Sequence, residues 1–89
     1  MQKRISFGTN YGRVNSNLKA VMDRKEISIN TMSKLADIKY HVVKRYYYNN
    51  DLYHVDLQLL AKFCYILDCK ISDILEYEYS EENIASTRV

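Results

Sequence analysis

The sequence predicts an all-α fold, a compact bundle of about five helices around a central helix-turn-helix, with short strands allowed near the two ends. Three observations support this fold class. The 89 residues include no Pro and only two Gly. The composition, 47% hydrophobic and 27% charged, is typical of one small globular domain with a modest core. Apolar residues recur at the spacing of amphipathic helices through most of the chain.

Residues 28–49 contain two short amphipathic runs separated by a break at Ala36, Asp37 and Ile38. Each run places its apolar side chains on one helix face, and these are Met32, Leu35 and Ala36 in the first run and Ile38, Val42, Val43 and Tyr46 in the second. Ser28 is expected to cap the first helix by accepting a hydrogen bond from a backbone N–H near Thr31. Because the break is so short, the two helices must cross at a steep angle, which is helix-turn-helix geometry.

The residues before this motif are expected to form a polar N-terminal arm, residues 1–12, followed by one helix. Two glycines interrupt any helix within the arm. The first helix is expected to begin after Asn15 or Ser16 as its cap and to end near Lys25. Its core residues are Leu18, Val21 and Met22.

A longer helix is expected after the motif, capped by Asp56 and ending near Leu67. It is apolar on two faces, with Leu57, Leu60, Ala61, Cys64 and Leu67 on one and Leu59, Phe63 and Ile66 on the other. A helix of this kind is buried on two sides. One face is expected to meet the core, and the second to meet the N-terminal arm, the tail or another subunit.

The end of the chain combines a short helix, a strand and a tail. Ser72 is expected to cap the short helix. The strict alternation at residues 76–79 predicts a strand, with Tyr11–Val14 as its expected partner. Such an edge strand is also a natural place for two subunits to join. Residues 78–89 are expected to form a polar, acidic tail.

The charge is unevenly distributed along the chain. Residues 1–70 carry 12 Lys and Arg against 6 Asp and Glu, whereas residues 71–89 carry 1 against 5. The sequence therefore predicts that any polyanion lies against the first part of the chain and avoids the acidic end.

Catalytic and metal-binding patterns are missing from the sequence. It has no phosphate-binding glycine loop, no nucleophile motif and no carboxylate pair in an apolar setting, so neither an enzyme nor a cofactor is expected. The soft metal ligands His41, His54, Cys64 and Cys69 match no zinc spacing, so no metal is expected. The sequence contains no membrane-spanning stretch and no signal-peptide core, which predicts a cytoplasmic protein in which the two cysteines stay reduced.

The central segment resembles the helix-turn-helix of the phage repressor/Cro (XRE-like) family of DNA-binding proteins. The resemblance rests on the core and contact positions Met32, Ser33, Ile38 and Val43, and on residues 55–64 and 67–77, which are similar to the last two helices of the family. It covers residues 13–77, the predicted DNA-binding domain, and implies a lambda-repressor-like fold. Asp37 replaces the usual turn Gly, and Ile29 stands where the family often has a phosphate-contacting Gln.

The resemblance implies that the helix at residues 39–48 enters the major groove of double-stranded DNA. The residues expected to contact DNA are Lys39, Tyr40, His41, Lys44, Arg45, Asn30 and Asn49. Arg45 is the candidate for a bidentate contact to guanine, and Lys39 and Lys44 are candidates for phosphate contacts. Tyr40 and His41 can contact bases or phosphates. The simpler interpretation, an ordinary basic solvated face, is less favoured once the surrounding motif is considered.

Three consecutive tyrosines end this helix. Tyr46 continues the apolar face and is expected in the core. Tyr47 and Tyr48 cannot both be buried there, so one of them is expected to offer its hydroxyl to a phosphate or to stack against another subunit. A basic N-terminal arm, through Lys3 and Arg4, can reach a minor groove, although a flexible terminus is the simpler interpretation.

The function implied by the resemblance is sequence-specific transcriptional regulation, with repression by promoter occlusion as the expected mode. A homodimer on an inverted-repeat operator is expected, because one small module buries little DNA surface. Two alternatives stay open. The first is an antitoxin or adaptor that uses the same fold to bind a protein partner. The second is an RNA binder that stacks its tyrosines on unpaired bases.

Overall fold

The structure, a computed structural model, describes residues 4–50 and 52–79. Within these ranges the chain forms two strands and five helices, in the order β1 (Arg13–Ser16), α1 (Leu18–Arg24), α2 (Ile29–Ala36), α3 (Tyr40–Tyr48), α4 (Leu57–Leu67), α5 (Ile71–Ile74) and β2 (Leu75–Glu78). The fold is mostly helical, but the two short strands mean that it is not purely all-α. Lys3 of the predicted arm and residues 80–89 of the predicted tail lie outside the described residues.

The two strands form an antiparallel sheet whose register runs from Arg13↔Glu78 to Ser16↔Leu75. The expected pairing of the chain ends is thus present, but the first strand begins two residues after the start of the predicted segment Tyr11–Val14. Gly12 explains the later start, because its φ of 83° takes the backbone out of the extended conformation. A Cβ at this position would overlap the carbonyl oxygen of Glu78, so the close approach of the two chain ends requires glycine.

The first helix begins after Asn17, so the N-cap position lies one residue later than expected, although the Ser16 hydroxyl oxygen still accepts the Leu18 N–H at 3.3 Å. Asn15 and Ser16 also have partners outside α1. The Ser16 hydroxyl donates to the Tyr46 carbonyl oxygen at 2.6 Å, and the Asn15 carboxamide oxygen accepts from the Asn49 side chain at 3.0 Å. Asn17 itself makes no side-chain capping hydrogen bond. Leu18, Val21 and Met22 are buried as expected.

The helix-turn-helix forms as the sequence predicts. The Ser28 hydroxyl oxygen accepts the Thr31 N–H at 3.1 Å and so caps α2. Asp37 ends α2 in the left-handed conformation, with φ 53° and ψ 52°. Ile38 then donates its N–H to the Ser33 carbonyl oxygen at 3.0 Å, which closes the turn. The second helix starts at Tyr40, one residue inside the predicted range of 39–48, because Lys39 is its N-cap.

The core lies where α4 meets the other helices. Its buried members are Leu18, Val21, Met22, Met32, Ala36, Val43, Tyr46, Leu59, Leu60, Phe63, Leu67 and Ile74. Tyr46 packs edge-on against Phe63 with ring centroids 5.4 Å apart, and its hydroxyl accepts the Asp56 N–H at 3.1 Å. Asp56 in turn caps α4 through the Gln58 and Leu59 N–H groups, as the sequence predicts. These contacts fix the direction of α3 against the longest helix.

The last helix is capped differently from the prediction. Lys70, not Ser72, is its N-cap residue, and Ser72 lies exposed inside the helix. The Lys70 N–H donates to the Asp73 carboxylate at 2.8 Å. The Asp73 side chain thus satisfies the N–H of the cap residue itself, as the N3 residue of a capping box does. No helix within residues 4–50 and 52–79 has the length and apolarity needed to cross a membrane.

Candidate nucleic-acid interface

One side of α3 is anchored in the core and the opposite side is open. Val43 and Tyr46 are buried. With 3.6 residues per turn, the positions farthest from these two are those of His41 and Tyr48, with Lys44 and Arg45 on either side of them. All four are exposed. We call the exposed side chains of α3 the α3 face; its members are Tyr40, His41, Lys44, Arg45 and Tyr48. Helix α3 contains no acidic residue, so the α3 face is basic and aromatic.

Arg45 lies at the edge of the α3 face that borders α4. It is exposed and lines a shallow depression of about 420 Å³ whose other walls include His54 and Val55. The loop after α3 therefore continues the surface on which Arg45 lies. Lys39 is exposed at the N-cap and lines a separate depression of about 340 Å³ with Val42 and Lys62. Lys39 thus lies at the start of the helix, beside the α3 face and not within it.

Asn30 is exposed in the first turn of α2. The first N–H groups of a helix have no intrahelical acceptor, and the helix dipole is positive at this end. The Ser28 hydroxyl accepts one of these groups, the N–H of Thr31. Asn30 is therefore placed where a phosphate oxygen would find both backbone and side-chain donors.

Asn49 has a structural task at the end of α3. It is the C-cap residue in the left-handed conformation, with φ 58° and ψ 40°. Its carboxamide oxygen accepts the Ser16 N–H at 2.8 Å, and its amide group donates to the Asn15 side chain at 3.0 Å. These two hydrogen bonds, which we call the Asn49 latch, tie the end of α3 to β1. A DNA contact by Asn49 stays a prediction.

Tyr47 and Tyr48 have separate roles. The Tyr47 hydroxyl donates to the Asp23 carboxylate at 2.5 Å, and Lys19 lies 2.7 Å from the same carboxylate with its ammonium 5.3 Å from the Tyr47 ring centroid. Tyr48 packs edge-on against Tyr47 at 4.8 Å and is 49% exposed on the α3 face. The sequence predicts a phosphate or subunit contact for one of these two tyrosines without choosing between them. The spacing of Tyr48, seven from His41 and four from Lys44, indicates that Tyr48 shares their face.

The cluster of Lys19, Asp23 and Tyr47 shifts the pKa of each member. The hydrogen bonds from Lys19 and then Tyr47 lower the pKa of the Asp23 carboxyl below its ordinary value. The hydrogen bond to Asp23 raises the pKa of Lys19 and also that of the Tyr47 hydroxyl. The cluster is therefore held in its charged carboxylate, charged ammonium and neutral phenol forms near neutral pH.

The two cysteines are free thiols and half-buried. Burial, and to a lesser degree the neighbouring Cys64, raises the pKa of the Cys69 thiol. A raised pKa lowers the thiolate fraction, which is the reactive form. Among the residues that the structure describes, no three His, Cys, Asp or Glu side chains come together in a way that could hold a metal ion.

A capped helix crossing a second helix with an open basic face is the arrangement of a helix-turn-helix DNA-binding domain. The family model for the Cro/C1-type HTH DNA-binding domain matches residues 17–80. The chain therefore belongs to the Cro/C1-type helix-turn-helix family, as its resemblance to phage repressors predicts.

Solved structures share this fold. A crystal structure from Bacteroides fragilis, described as that of a candidate DNA-binding protein, superposes with a TM-score of 0.64 at 14% identity and covers 72% of this chain and 100% of its own. The transcriptional regulator VanUg superposes with a TM-score of 0.63 at 18% identity and covers 86% of this chain and 100% of its own. At these identities the likeness concerns the fold alone. A comparison with curated protein sequences gives no significant match.

Proposed function

We propose that this protein is a sequence-specific transcriptional regulator that binds double-stranded DNA with the α3 face in the major groove and represses by occluding a promoter. The observation that carries the proposal is the α3 face itself. Its exposed basic and aromatic side chains lie opposite the buried anchors Val43 and Tyr46. A solvated face of this composition on a helix-turn-helix matches what major-groove docking requires. Membership of a DNA-binding family supports the same conclusion.

The proposed contacts divide into base readout and phosphate positioning. Arg45 reads guanine through its O6 and N7 atoms, and Tyr40 and His41 contact neighbouring bases or phosphates. Lys39 and Lys44 bind phosphates and set the position of α3 without reading sequence.

The remaining proposed contacts flank α3. Asn30 donates to a phosphate at the N-terminus of α2. Asn49 contacts a phosphate at the other end of α3 through its side-chain amide, which also donates to Asn15. The exposed Tyr48 adds a hydroxyl to the α3 face, four residues beyond Lys44.

The proposed organisation is a DNA-binding domain at residues 13–77 flanked by an arm at 1–12 and an acidic tail at 78–89. A homodimer would present two α3 helices to an inverted-repeat operator. Two copies double the DNA surface that a single small module can bury, which specific binding requires. The acidic tail would lie away from the phosphates because like charges repel.

The first experiment is selection from a pool of random duplexes, with sequencing of the retained fraction at two salt concentrations. An enriched inverted repeat is the expected result. Retention that depends on salt but enriches no sequence would contradict sequence-specific readout. No retention at low salt would contradict DNA binding and favour the antitoxin or adaptor alternative. Competition between the duplex and single-stranded RNA separates the proposal from RNA binding.

A further inference from the structure

The turn after α4 folds the chain back onto the end of the helix. Asp68 adopts the left-handed conformation, with φ 50° and ψ 57°. The Cys69 N–H donates to the Cys64 carbonyl oxygen at 3.1 Å, and the Asp68 N–H donates to the Tyr65 carbonyl oxygen at 3.4 Å. These two hydrogen bonds, one nested inside the other, define a Schellman motif. The motif brings its first and last residues, Cys64 and Cys69, next to each other.

The first and last residues of a Schellman motif commonly make a side-chain contact. Here both are cysteines, and both side chains are half-buried and pack against the core. With standard bond lengths, the 3.1 Å hydrogen bond keeps the Cα atoms of Cys64 and Cys69 within about 7 Å of each other. Disulfides usually join Cα atoms up to about 6.8 Å apart. A bond between the two sulfur atoms therefore requires little movement of the backbone.

The electrostatic surroundings of Cys69 agree with this contact. Burial, and after it the neighbouring Cys64 thiol, raises the pKa of the Cys69 thiol. Asp73 raises the same pKa and Lys25 lowers it. The raised pKa makes oxidation slow near neutral pH, because the thiolate is the form that reacts. The closeness of the two thiols does not speed this first step, but it favours an intramolecular product once the step has occurred.

The turn that carries the two thiols lies at the surface. Tyr65, Asp68 and Lys70 are exposed on either side of the half-buried cysteines, so a small oxidant can reach them. Lys70 is also the N-cap of α5. A bond from Cys64 to Cys69 would therefore tie the end of α4 to the residue that directly precedes α5.

We propose that Cys64 and Cys69 form a reversible modification site, a dithiol that small disulfides such as oxidised glutathione convert to an intrachain disulfide. The site includes no residue of the α3 face, so this inference goes beyond the proposed function and does not depend on it. In a reducing compartment the site rests in the dithiol form, in agreement with the sequence. It is modified when the ratio of oxidised to reduced glutathione rises.

The reaction consists of two exchange steps that balance. The thiolate of one cysteine attacks oxidised glutathione, forms a mixed disulfide and releases one glutathione thiolate. The thiolate of the other cysteine attacks the protein sulfur of that mixed disulfide and releases the second glutathione. Each attacking thiol gives its proton to water, and each released thiolate takes one up. The two cysteines together lose two electrons, which reduce oxidised glutathione to two thiols.

The test is equilibration of the full native chain in glutathione buffers of graded ratio at a pH of about 8.5, where thiolate is present. Acid quenching and mass spectrometry then identify the products. The wild type is expected to lose two hydrogens and to carry no glutathione. Cys64→Ser and Cys69→Ser are each expected to keep one glutathione, because the second thiol is missing. A wild type that keeps glutathione, forms covalent dimers or does not react would overturn the inference.

A matched control moves one thiol by a single residue. Cys69→Ser combined with Lys70→Cys keeps two cysteines in the chain but places the second one outside the Schellman motif. This variant is expected to need a glutathione ratio at least about tenfold more oxidising to form its intrachain disulfide. Circular dichroism verifies that it stays folded. Equal ratios for the two chains would overturn the inference.

The same comparison in concentrated urea tests whether the fold is the cause. Unfolding removes the motif, so the wild type and the shifted pair are expected to need nearly the same glutathione ratio. A wild-type advantage that persists in urea would come from local sequence and not from the turn. That result would overturn the structural basis of the modification site.

Discussion

Tyr47 and Tyr48 are adjacent residues of one type with different surroundings. Tyr47 turns toward α1 and gives its hydroxyl to Asp23, and Tyr48 packs against its ring on the open side of the helix. Lys19 pairs with Asp23, Asp23 accepts from the Tyr47 hydroxyl, and the Tyr47 ring packs against Tyr48. A charge pair on α1 therefore positions an aromatic ring on the α3 face. The spacing within α3 predicts which face Tyr48 occupies. It does not predict the Asp23 partner, which is 24 residues away in the sequence.

The first residue-scale prediction separates base readout from phosphate binding. Arg45→Ala is expected to weaken binding to the operator by about 1–3 kcal/mol and to weaken non-specific binding much less. Lys39→Ala is expected to weaken both alike and to reduce the slope of log K against log salt by about 0.9. Arg24→Ala is the control, since Arg24 is exposed on α1. Titrations against operator and scrambled duplexes measure these effects. If Arg45→Ala loses the same binding free energy with both duplexes, Arg45 contacts phosphate and does not read a base.

The Asp23 cluster predicts a small dependence of stability on acid pH. The pKa of Asp23 is lowered in the folded state from an ordinary value of 3.8, so its charged form stabilises the fold above that pH. This stability is lost as the pH falls through the folded pKa. The wild type is therefore expected to be more stable than Asp23→Asn near neutral pH, with the difference shrinking once the pH falls below about 3.8 and disappearing only below the lowered pKa of the folded state. Urea unfolding at several pH values measures it, with Glu26→Gln as control. The difference is small because the groups are exposed.

At the scale of the elements, short-range signals predict most boundaries correctly. Ser28 and Asp56 cap their helices by accepting backbone N–H groups within three residues, and Asp37 adopts the left-handed conformation that ends α2. Predictions at the chain ends are less accurate. Asn15 bonds β2, and Ser16 bonds α3 as well as the first N–H of α1, so the N-cap position falls to Asn17. Such competition comes from partners distant in sequence, so a local pattern cannot reveal it.

Two serines test the capping assignments. Ser28→Ala removes the acceptor for the Thr31 N–H and is expected to destabilise the protein by about 1 kcal/mol. Ser72→Ala is expected to change stability by less than about 0.5 kcal/mol, because Ser72 is an exposed position inside α5. Chemical denaturation of both variants gives the comparison. A larger loss for Ser72→Ala than for Ser28→Ala would contradict the assignment of Lys70 as the cap.

Two glycines with the same backbone conformation test the sheet. Gly8 and Gly12 both have φ of 83°. An alanine at either position is therefore destabilised by about 1–2 kcal/mol, because a Cβ disfavours the left-handed conformation. Nothing lies within 4 Å of a Cβ at Gly8, whereas one at Gly12 meets the Glu78 carbonyl oxygen. Gly12→Ala is therefore expected to destabilise the protein clearly more than Gly8→Ala, as measured by urea unfolding. Equal losses would mean that β1 and β2 contribute little to stability.

At the scale of the whole molecule, the sequence predicts the helix-turn-helix, the five helices and the side of α3 that is open. The two-sided burial expected of α4 is largely provided by the chain itself, because Leu59 and Phe63 of one predicted face and Leu60 and Leu67 of the other are buried. Leu57 nevertheless stays 74% exposed. The spacing within α4 cannot predict where burial ends, because that depends on which elements pack on either side of the helix.

The proposed dimer predicts a fixed operator geometry. Two α3 helices related by a two-fold axis reach half-sites about one helical turn, roughly 10 base pairs, apart. Inserting about five base pairs between the half-sites turns one of them to the opposite side of the duplex, and binding is expected to fall to that of a single half-site. An insertion of about ten base pairs is the control, because it keeps both half-sites on one side. Gel-shift titrations compare the three duplexes.

The Asn49 latch determines the smallest fragment of this chain that can present α3, the proposed DNA-binding helix, in another protein. The end of α3 is held by β1, and β1 is held by β2, near the other end of the described chain. A fragment trimmed to the five helices would therefore release the C-terminal end of α3 while leaving its core anchors in place. Transfer of the proposed DNA specificity to another protein requires residues 13–78, with any fused sequence attached outside those limits.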